Sequence, residues 1–230
     1  MTRIVAGAAR GRRLRVPSGE MTRPTSDRVR EAMFSALESM LGGFHGLRVL
    51  DLYAGSGALG LEALSRGATC VTLVESEARA VRTIEANLAA VGIPGATVVR
   101  DRVERFLSSR VRDLPGPAGE LPEGPEPEDP GARPVRTPDP VELEKQPATP
   151  GSRYDVVLAD PPYALATDDL HDALTLLADV WLEAGAVLVV ERDRKSGPIR
   201  WPDGVNGLRD RAYGETVLWY GRSAGTDVPG

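Results

Sequence analysis

One cysteine, Cys70, in 230 residues leaves no partner for an internal disulfide, which fits the cytoplasm. Histidine is almost as scarce. His45 and His171 stand far apart, and with no H-x-x-x-H spacing a metal site is not expected. No stretch approaches the roughly 18 apolar residues of a membrane span. The N-terminal Met1-Thr2-Arg3-Ile4-Val5-Ala6-Gly7 runs into arginines, not into an apolar run with a cleavage site, so no secretory signal is expected. Trp181, Trp201 and Trp219 are expected in packing, and Cys70 as a small hydrophobe inside a strand.

The net charge of −5 is local. The segment 111–150 carries nine acidic and four basic residues, and the rest of the chain balances. That segment also holds 11 of the 19 prolines and no aromatic residue. It cannot bury enough apolar surface to offset its ordering entropy, and reads as a disordered insertion. Before Glu20 the chain has only basic charges: Arg3, Arg10, Arg12, Arg13 and Arg15. Such a run suits a polyanion, although a solvated basic tail is the plain alternative.

Four regions follow. Residues 1–24 form a basic arm, with Ile4-Val5 and Arg12-Arg13-Leu14-Arg15-Val16 able to pair as a hairpin around Gly7 to Gly11. Residues 25–221 form one α/β domain interrupted by 111–150, and 222–230 a flexible tail. A helix is predicted over 25–41, since Val29, Met33, Phe34, Leu37 and Leu41 recur at helical spacing after Thr25, Ser26 and Asp27. Strands are predicted at 48–53, 69–74, 96–99, 154–159 and 186–190. Helices are predicted at 58–66, 77–91, 102–110 and 168–181. This alternation implies a parallel sheet covered on both faces. Residues 208–213 and 215–220 are separated only by Gly214, a link that permits a hairpin and no crossover, so the last strand is antiparallel.

Asp51-Leu52-Tyr53-Ala54-Gly55-Ser56-Gly57-Ala58-Leu59-Gly60 leaves a strand and opens a helix. Gly55, Gly57 and Gly60 match G-x-G-x-x-G, where missing side chains admit a ligand close to the backbone. Glu75, with Ser76 beside it, ends the next strand, where a carboxylate accepts from both ribose hydroxyls. Tyr53, Ala54 and Ser56 complete the loop. The pattern says adenosine-containing cofactor. Two features favour S-adenosylmethionine over NAD. Asp51 suits a ligand with an ammonium group and suits a pyrophosphate badly. Asp101 can accept from an adenine amino group, with Arg102 and Val103 flanking the ring. Each of these carboxylates could instead be a helix cap.

Asp160-Pro161-Pro162-Tyr163 follows the fourth parallel strand. The prolines remove two N–H donors and leave the Asp160 carboxylate and the Pro161 carbonyl as acceptors. An exocyclic amine of a base is a poor nucleophile because its lone pair is delocalised. Two acceptors facing its N–H groups return density to nitrogen as positive charge develops. Tyr163 offers a ring for stacking the base, and Asp160 can take the proton released. Glu191 and Asp193, after the fifth strand, could face the site, with surface carboxylates the plainer reading.

The chain resembles the bacterial 16S rRNA guanine-N2 methyltransferases of the RsmD type. The likeness rests on Arg3-Ile4-Val5-Ala6-Gly7 with Gly11-Arg12-Arg13-Leu14, on Thr22 to Phe34, on Leu50 to Gly60, on the Glu75 strand end and on Asp160 to Tyr163. It implies a Rossmann-like class I methyltransferase sheet of seven strands, mostly parallel with the last antiparallel. It also implies transfer to the 2-amino group of one guanine in the small ribosomal subunit. Arg23 and Thr25 are implied at the cofactor, and Arg23 and Arg28, with Arg10, Arg12, Arg13 and Arg15, at the RNA. A monomer is expected, with 16S rRNA as partner and no membrane or metal. The acidic insertion departs from the family's pattern, as does Asp160 where many amino methyltransferases have Asn. Rival readings are a DNA adenine-N6 methyltransferase, a protein glutamine-N5 methyltransferase, an NAD-dependent oxidoreductase and a non-catalytic RNA-binding module.

Overall fold

The computed structural model describes residues 2–16, 27–111, 153–162 and 164–224. The expectations for Arg23, Thr25, Tyr163 and nearly all of the insertion and tail lie outside these residues. In chain order the elements are β1 (Thr2–Arg3), β2 (Arg13–Leu14), α1 (Asp27–Leu41), β3 (Arg48–Leu52), α2 (Ala58–Ser65), β4 (Cys70–Glu75), α3 (Ala78–Val91), β5 (Ala96–Arg100), α4 (Val103–Val111), β6 (Tyr154–Ala159), α5 (Thr167–Val180), β7 (Leu182–Asp193), β8 (Val205–Tyr213) and β9 (Thr216–Ser223).

Seven strands form one sheet in the order β5-β4-β3-β6-β7-β9-β8. β5, β4, β3, β6 and β7 pair in parallel, while β9 is antiparallel to both β7 and β8. The fold is the expected Rossmann-like α/β sheet with an antiparallel last strand. That strand does not sit at the edge: β9 lies between β7 and β8. Side-chain chemistry explains the exchange. Thr216-Val217-Leu218-Trp219-Tyr220 of β9 is mostly buried, whereas β8 carries Asn206, Arg209, Asp210 and Arg211, all exposed. Charged side chains at the edge also discourage pairing with another chain.

Alternate strand residues feed two cores, as the period of two requires. Val49, Val71, Leu73, Val156, Leu158, Val187 and Val189 pack with Met33, Phe34, Leu61, Leu64 and Ile84 of α1, α2 and α3. Leu50, Val74, Val157, Leu188 and Val190 face Leu107, Leu170, Leu174, Leu177 and Trp181 on and after α4 and α5. Each such burial contributes about 1.5–3 kcal/mol. β7 is longer than predicted because its charged end still pairs: Glu191 faces Leu218 and Arg192 faces Val217. Glu191 is therefore buried, 2 % exposed, and is no surface carboxylate. Among the described residues no helix is long and apolar enough to cross a membrane.

The arm is part of the core. β1 and β2 pair antiparallel, and Ile4, Ala9 and Leu14 are buried against α1 and α2. Glu62 of α2, with no solvent exposure, accepts from the main-chain N–H groups of Val5 (2.7 Å) and Ala6 (3.0 Å). Ser65 accepts from Ala8 N through its carbonyl and from Ala9 N through its hydroxyl. At Gly7 the backbone is left-handed (φ 80°), and a Cβ there would meet the Ser65 carbonyl oxygen at 1.8 Å, so the turn needs glycine. Arg30 and Arg66, both nearly buried, offset the Glu62 charge from α1 and from the end of α2.

Candidate active site

The carboxyl ends of four parallel strands meet along one edge. Leu52 of β3 pairs with Val74 of β4 on one side and with Ala159 of β6 on the other. Glu75 pairs with Arg100 of β5. One residue further along, Asp160, Tyr53, Glu75 and Arg100 therefore line up from β6 to β5, with Asp101 one residue beyond that row. At about 4.8 Å per strand the row spans about 14 Å. Ligands of open α/β sheets bind at this edge.

Tyr53 leaves β3 in the left-handed region (φ 60°), the only described non-glycine residue to do so. This unusual backbone swings Ala54 across to β4, where Ala54 N donates to the Val74 carbonyl (3.0 Å). The Tyr53 ring packs on the α4–α5 side. Burial pushes its hydroxyl pKa well up, with Glu104 and Asp169 adding to the rise. Ala54 and Gly57 then close a turn, Gly57 N to the Ala54 carbonyl at 2.7 Å, and Gly57 begins α2 with φ 76°. At Gly60 a Cβ would meet Leu73 Cδ2 and Val71 Cγ1 at 2.9 Å and Asp51 Oδ2 at 3.1 Å. Glycine is required there for helix and strand to approach.

Asp51 is 1 % exposed and its Oδ2 accepts from Gly60 N at 2.8 Å. It sits behind the loop and anchors the first turn of α2, so the capping role weighed from sequence is realised. Burial raises its pKa to about 7, offset in part by the Gly60 amide and reinforced by Glu75. Among the described residues no cationic side chain contributes to this environment, so a positive ligand group brought to the loop would find a buried carboxylate beneath it.

Glu75 ties the loop to β4. Its Oε2 accepts from Gly55 N (2.9 Å) and its Oε1 from Glu77 N (2.7 Å) and the Ser76 hydroxyl (3.5 Å). A carboxylate has about four acceptor positions, so with three of them used capacity for one further hydroxyl donor is left. Asp101 stands two residues before α4, where its Oδ1 accepts from Arg102 N (2.7 Å) and pairs with Arg105 of that helix. The Arg105 hydrogen bond holds its carboxyl below the usual range. Ser76, Arg100, Asp101, Arg102 and Arg105 line an open groove of about 370 Å³ beside it, with Val103 buried at the helix start.

Asp160 and Pro162 are exposed and Pro161 is buried. The Pro162 carbonyl accepts from Leu165 N (2.9 Å), folding the segment into a turn. Arg192 of β7, itself buried, donates to the Leu165 carbonyl (3.1 Å) and clamps that turn from below. Sequence reasoning missed Arg192, Glu62 and Asn87. The available signal was charge or amide on a strand or helix face that is otherwise apolar. Arg10, Arg12, Arg13, Arg15 and Arg28 are exposed on or beside the arm, and Arg12 donates to the Ala90 carbonyl of α3 (2.7 Å).

A family model described as conserved hypothetical protein 95 matches residues 2–114 and 133–222. Ribosomal RNA small subunit methyltransferase D of Escherichia coli (strain K12) is 31% identical over 204 residues, covering 86% of this chain and 80% of that protein. YlbH of Bacillus subtilis, provisionally named an rRNA methyltransferase, is 38% identical over 219 residues, covering 93% of this chain and 95% of that one. Among solved structures, yhhF of Escherichia coli, provisionally described as a methyltransferase, superposes with a TM-score of 0.70 at 27% identity over 96% of this chain and 97% of that one.

Proposed function

The chain belongs to the conserved hypothetical protein 95 family, and we propose that it transfers the methyl group of S-adenosylmethionine to RNA of the small ribosomal subunit, at the 2-amino group of one guanine. The observation that carries this reading is the juxtaposition of Asp160-Pro161-Pro162 with the glycine loop, through the pairing of Ala159 with Leu52. The rRNA substrate is supported by the names of the relatives, and the amino group by the acceptor-rich tetrapeptide.

The residues present fit the cofactor. The glycine loop admits a close ligand, Glu75 has acceptor capacity left for a ribose hydroxyl, and buried Asp51 favours a cationic amino-acid moiety above it. Bound there, S-adenosylmethionine supplies an electrophilic methyl group on sulfur. The chain's residues act on the amine. Asp160 and the Pro161 carbonyl accept from its two N–H groups, which aligns the nitrogen lone pair with the methyl carbon. Methyl transfer to that nitrogen would leave the amine cationic. The Asp160 carboxylate stabilises that charge and takes the proton, directly or through water. Tyr163 is assigned to stacking the target base. Arg10, Arg12, Arg13, Arg15, Arg23 and Arg28 are assigned to RNA phosphates, and Arg23 and Thr25 also to the cofactor side.

The test is methyl transfer from labelled S-adenosylmethionine to free 16S rRNA, to small subunits lacking the modification, to plasmid DNA and to a protein extract. Label on one guanine in an RNA sample is the expected result. Label confined to DNA or protein, or on no sample, would overturn the substrate.

A further inference from the structure

Asn87 of α3 is 1 % exposed, and its single carboxamide holds two segments that are distant in sequence. Its Oδ1 accepts from the main-chain N–H of Arg15 (2.8 Å). Its Nδ2 donates to the Arg15 carbonyl and to the Ser56 carbonyl, each at 2.9 Å. These partners force the orientation of the amide, because a carbonyl only accepts and an N–H only donates. Arg15 lies just past β2 in the basic arm. Ser56 is the middle residue of Gly55-Ser56-Gly57. One turn further along α3, Arg12 grips the Ala90 carbonyl (2.7 Å). The arm thus registers on α3 largely through its own backbone, and the Arg15 side chain is left at the surface.

We propose that Asn87 is a positioning residue that couples RNA capture by the arm to cofactor binding at the glycine loop. The proposal rests on the function assigned above to those two segments. Ligand contact that orders Ser56 also orders the carboxamide, and the carboxamide holds Arg15 at both its N–H and its carbonyl. Burial keeps water from competing for these bonds, so a shift at one end is felt at the other. Coupling of this kind is reciprocal: RNA on the arm tightens the cofactor by the factor by which cofactor tightens RNA.

The experiment uses the full chain. The dissociation constant of S-adenosylhomocysteine is measured with and without saturating small subunits that lack the modification. In wild type the RNA-bound affinity should be about fivefold higher or more. Asn87→Asp keeps the acceptor for Arg15 N but has no donor, and sets a carboxylate against two carbonyl oxygens. In Asn87→Asp and Asn87→Ala the ratio should fall to near one, with KM for each substrate losing its dependence on the other while kcat at double saturation stays within about twofold. A readout independent of variant folding is amide hydrogen exchange in wild type, where S-adenosylhomocysteine alone should slow exchange at Arg15. A wild-type ratio of one with both ligands bound would overturn the coupling and leave the proposed function standing, as would unchanged Arg15 exchange or a ratio that survives Asn87→Ala. Failure of wild type to bind either ligand would remove the proposed function and the coupling together.

Discussion

Glu62, buried in α2, receives the backbone N–H of Val5 on Oε2 at 2.7 Å and that of Ala6 on Oε1 at 3.0 Å, and Arg66 Nε donates to the same Oε1 at 2.8 Å. One carboxylate therefore fixes both the arm and the end of α2. Glu62→Ala leaves Arg30 and Arg66 without their buried counter-charge and two N–H groups without an acceptor. The expected loss is about 3 kcal/mol of unfolding free energy, read by urea denaturation, with faster proteolysis of the arm. Glu62→Gln, which keeps an acceptor and loses the charge, should lose less.

Asp160→Ala should lower single-turnover methyl transfer by about 10²–10³, with S-adenosylhomocysteine affinity within about twofold of wild type by calorimetry. Asp160→Asn, which still accepts a hydrogen bond, should fall between the two. Wild-type rates in Asp160→Ala would remove the tetrapeptide from the chemistry.

The raised pKa of Asp51, about 7 against 3.8 unperturbed, sets two signs. For stability, a buried carboxyl with a raised folded pKa favours the protonated native state. Its contribution is full below about pH 4 and is lost as pH climbs to about 7, on the order of 4 kcal/mol. For binding, a cationic ligand prefers ionised Asp51, so affinity for S-adenosylhomocysteine should rise with pH, nearly tenfold per unit below pH 7, and level off above. Asp51→Asn should flatten that profile, lower the affinity at pH 8 and raise apo stability at the same pH. A pH profile in Asp51→Asn like that of wild type would separate Asp51 from the cofactor.

Gly60→Ala places a methyl group 2.9 Å from Leu73 and Val71 and 3.1 Å from the Asp51 carboxylate. It should cost about 1–3 kcal/mol of stability and weaken S-adenosylhomocysteine binding by displacing the loop. Both are measurable in one ligand-dependent thermal-shift series.

RNA affinity should fall linearly with salt on a double-logarithmic plot. Neutralising Arg12 and Arg13 together should flatten the slope by roughly 0.7–0.9 for each phosphate that the arm no longer neutralises. An unchanged slope in the double variant would place the RNA-binding surface away from the arm.

The order of strands and helices, the glycine loop and the tetrapeptide were legible from the chain because each rests on local rules. Hydrophobic period separates strand from helix, glycine marks backbone that must bend or approach, and the Gly214 link allows only a hairpin. Tyr154–Ala159 and the start of α2 fall where the pattern put them. Which strand of the terminal hairpin would lie inside was also written in side chains, in the charges of β8, although pairing order had to be seen in three dimensions. Three features were decided only by tertiary contact. Glu62, Arg30 and Asn87 stand out in sequence only as charge or amide on a largely apolar helix face, and nothing local says what they hold. Each is buried where another segment, 27 to 72 residues away in the chain, brings backbone groups to it. The hairpin of the arm was legible in sequence, but its place in the core is set only where Ile4 and Leu14 pack with α1 and α2. Asp51 and Asp101 acquire their electrostatics from burial and from Arg105. Local rules set what each segment can form. Long-range contact determines which polar groups lose water, and that loss is what gives a carboxylate or an amide its role.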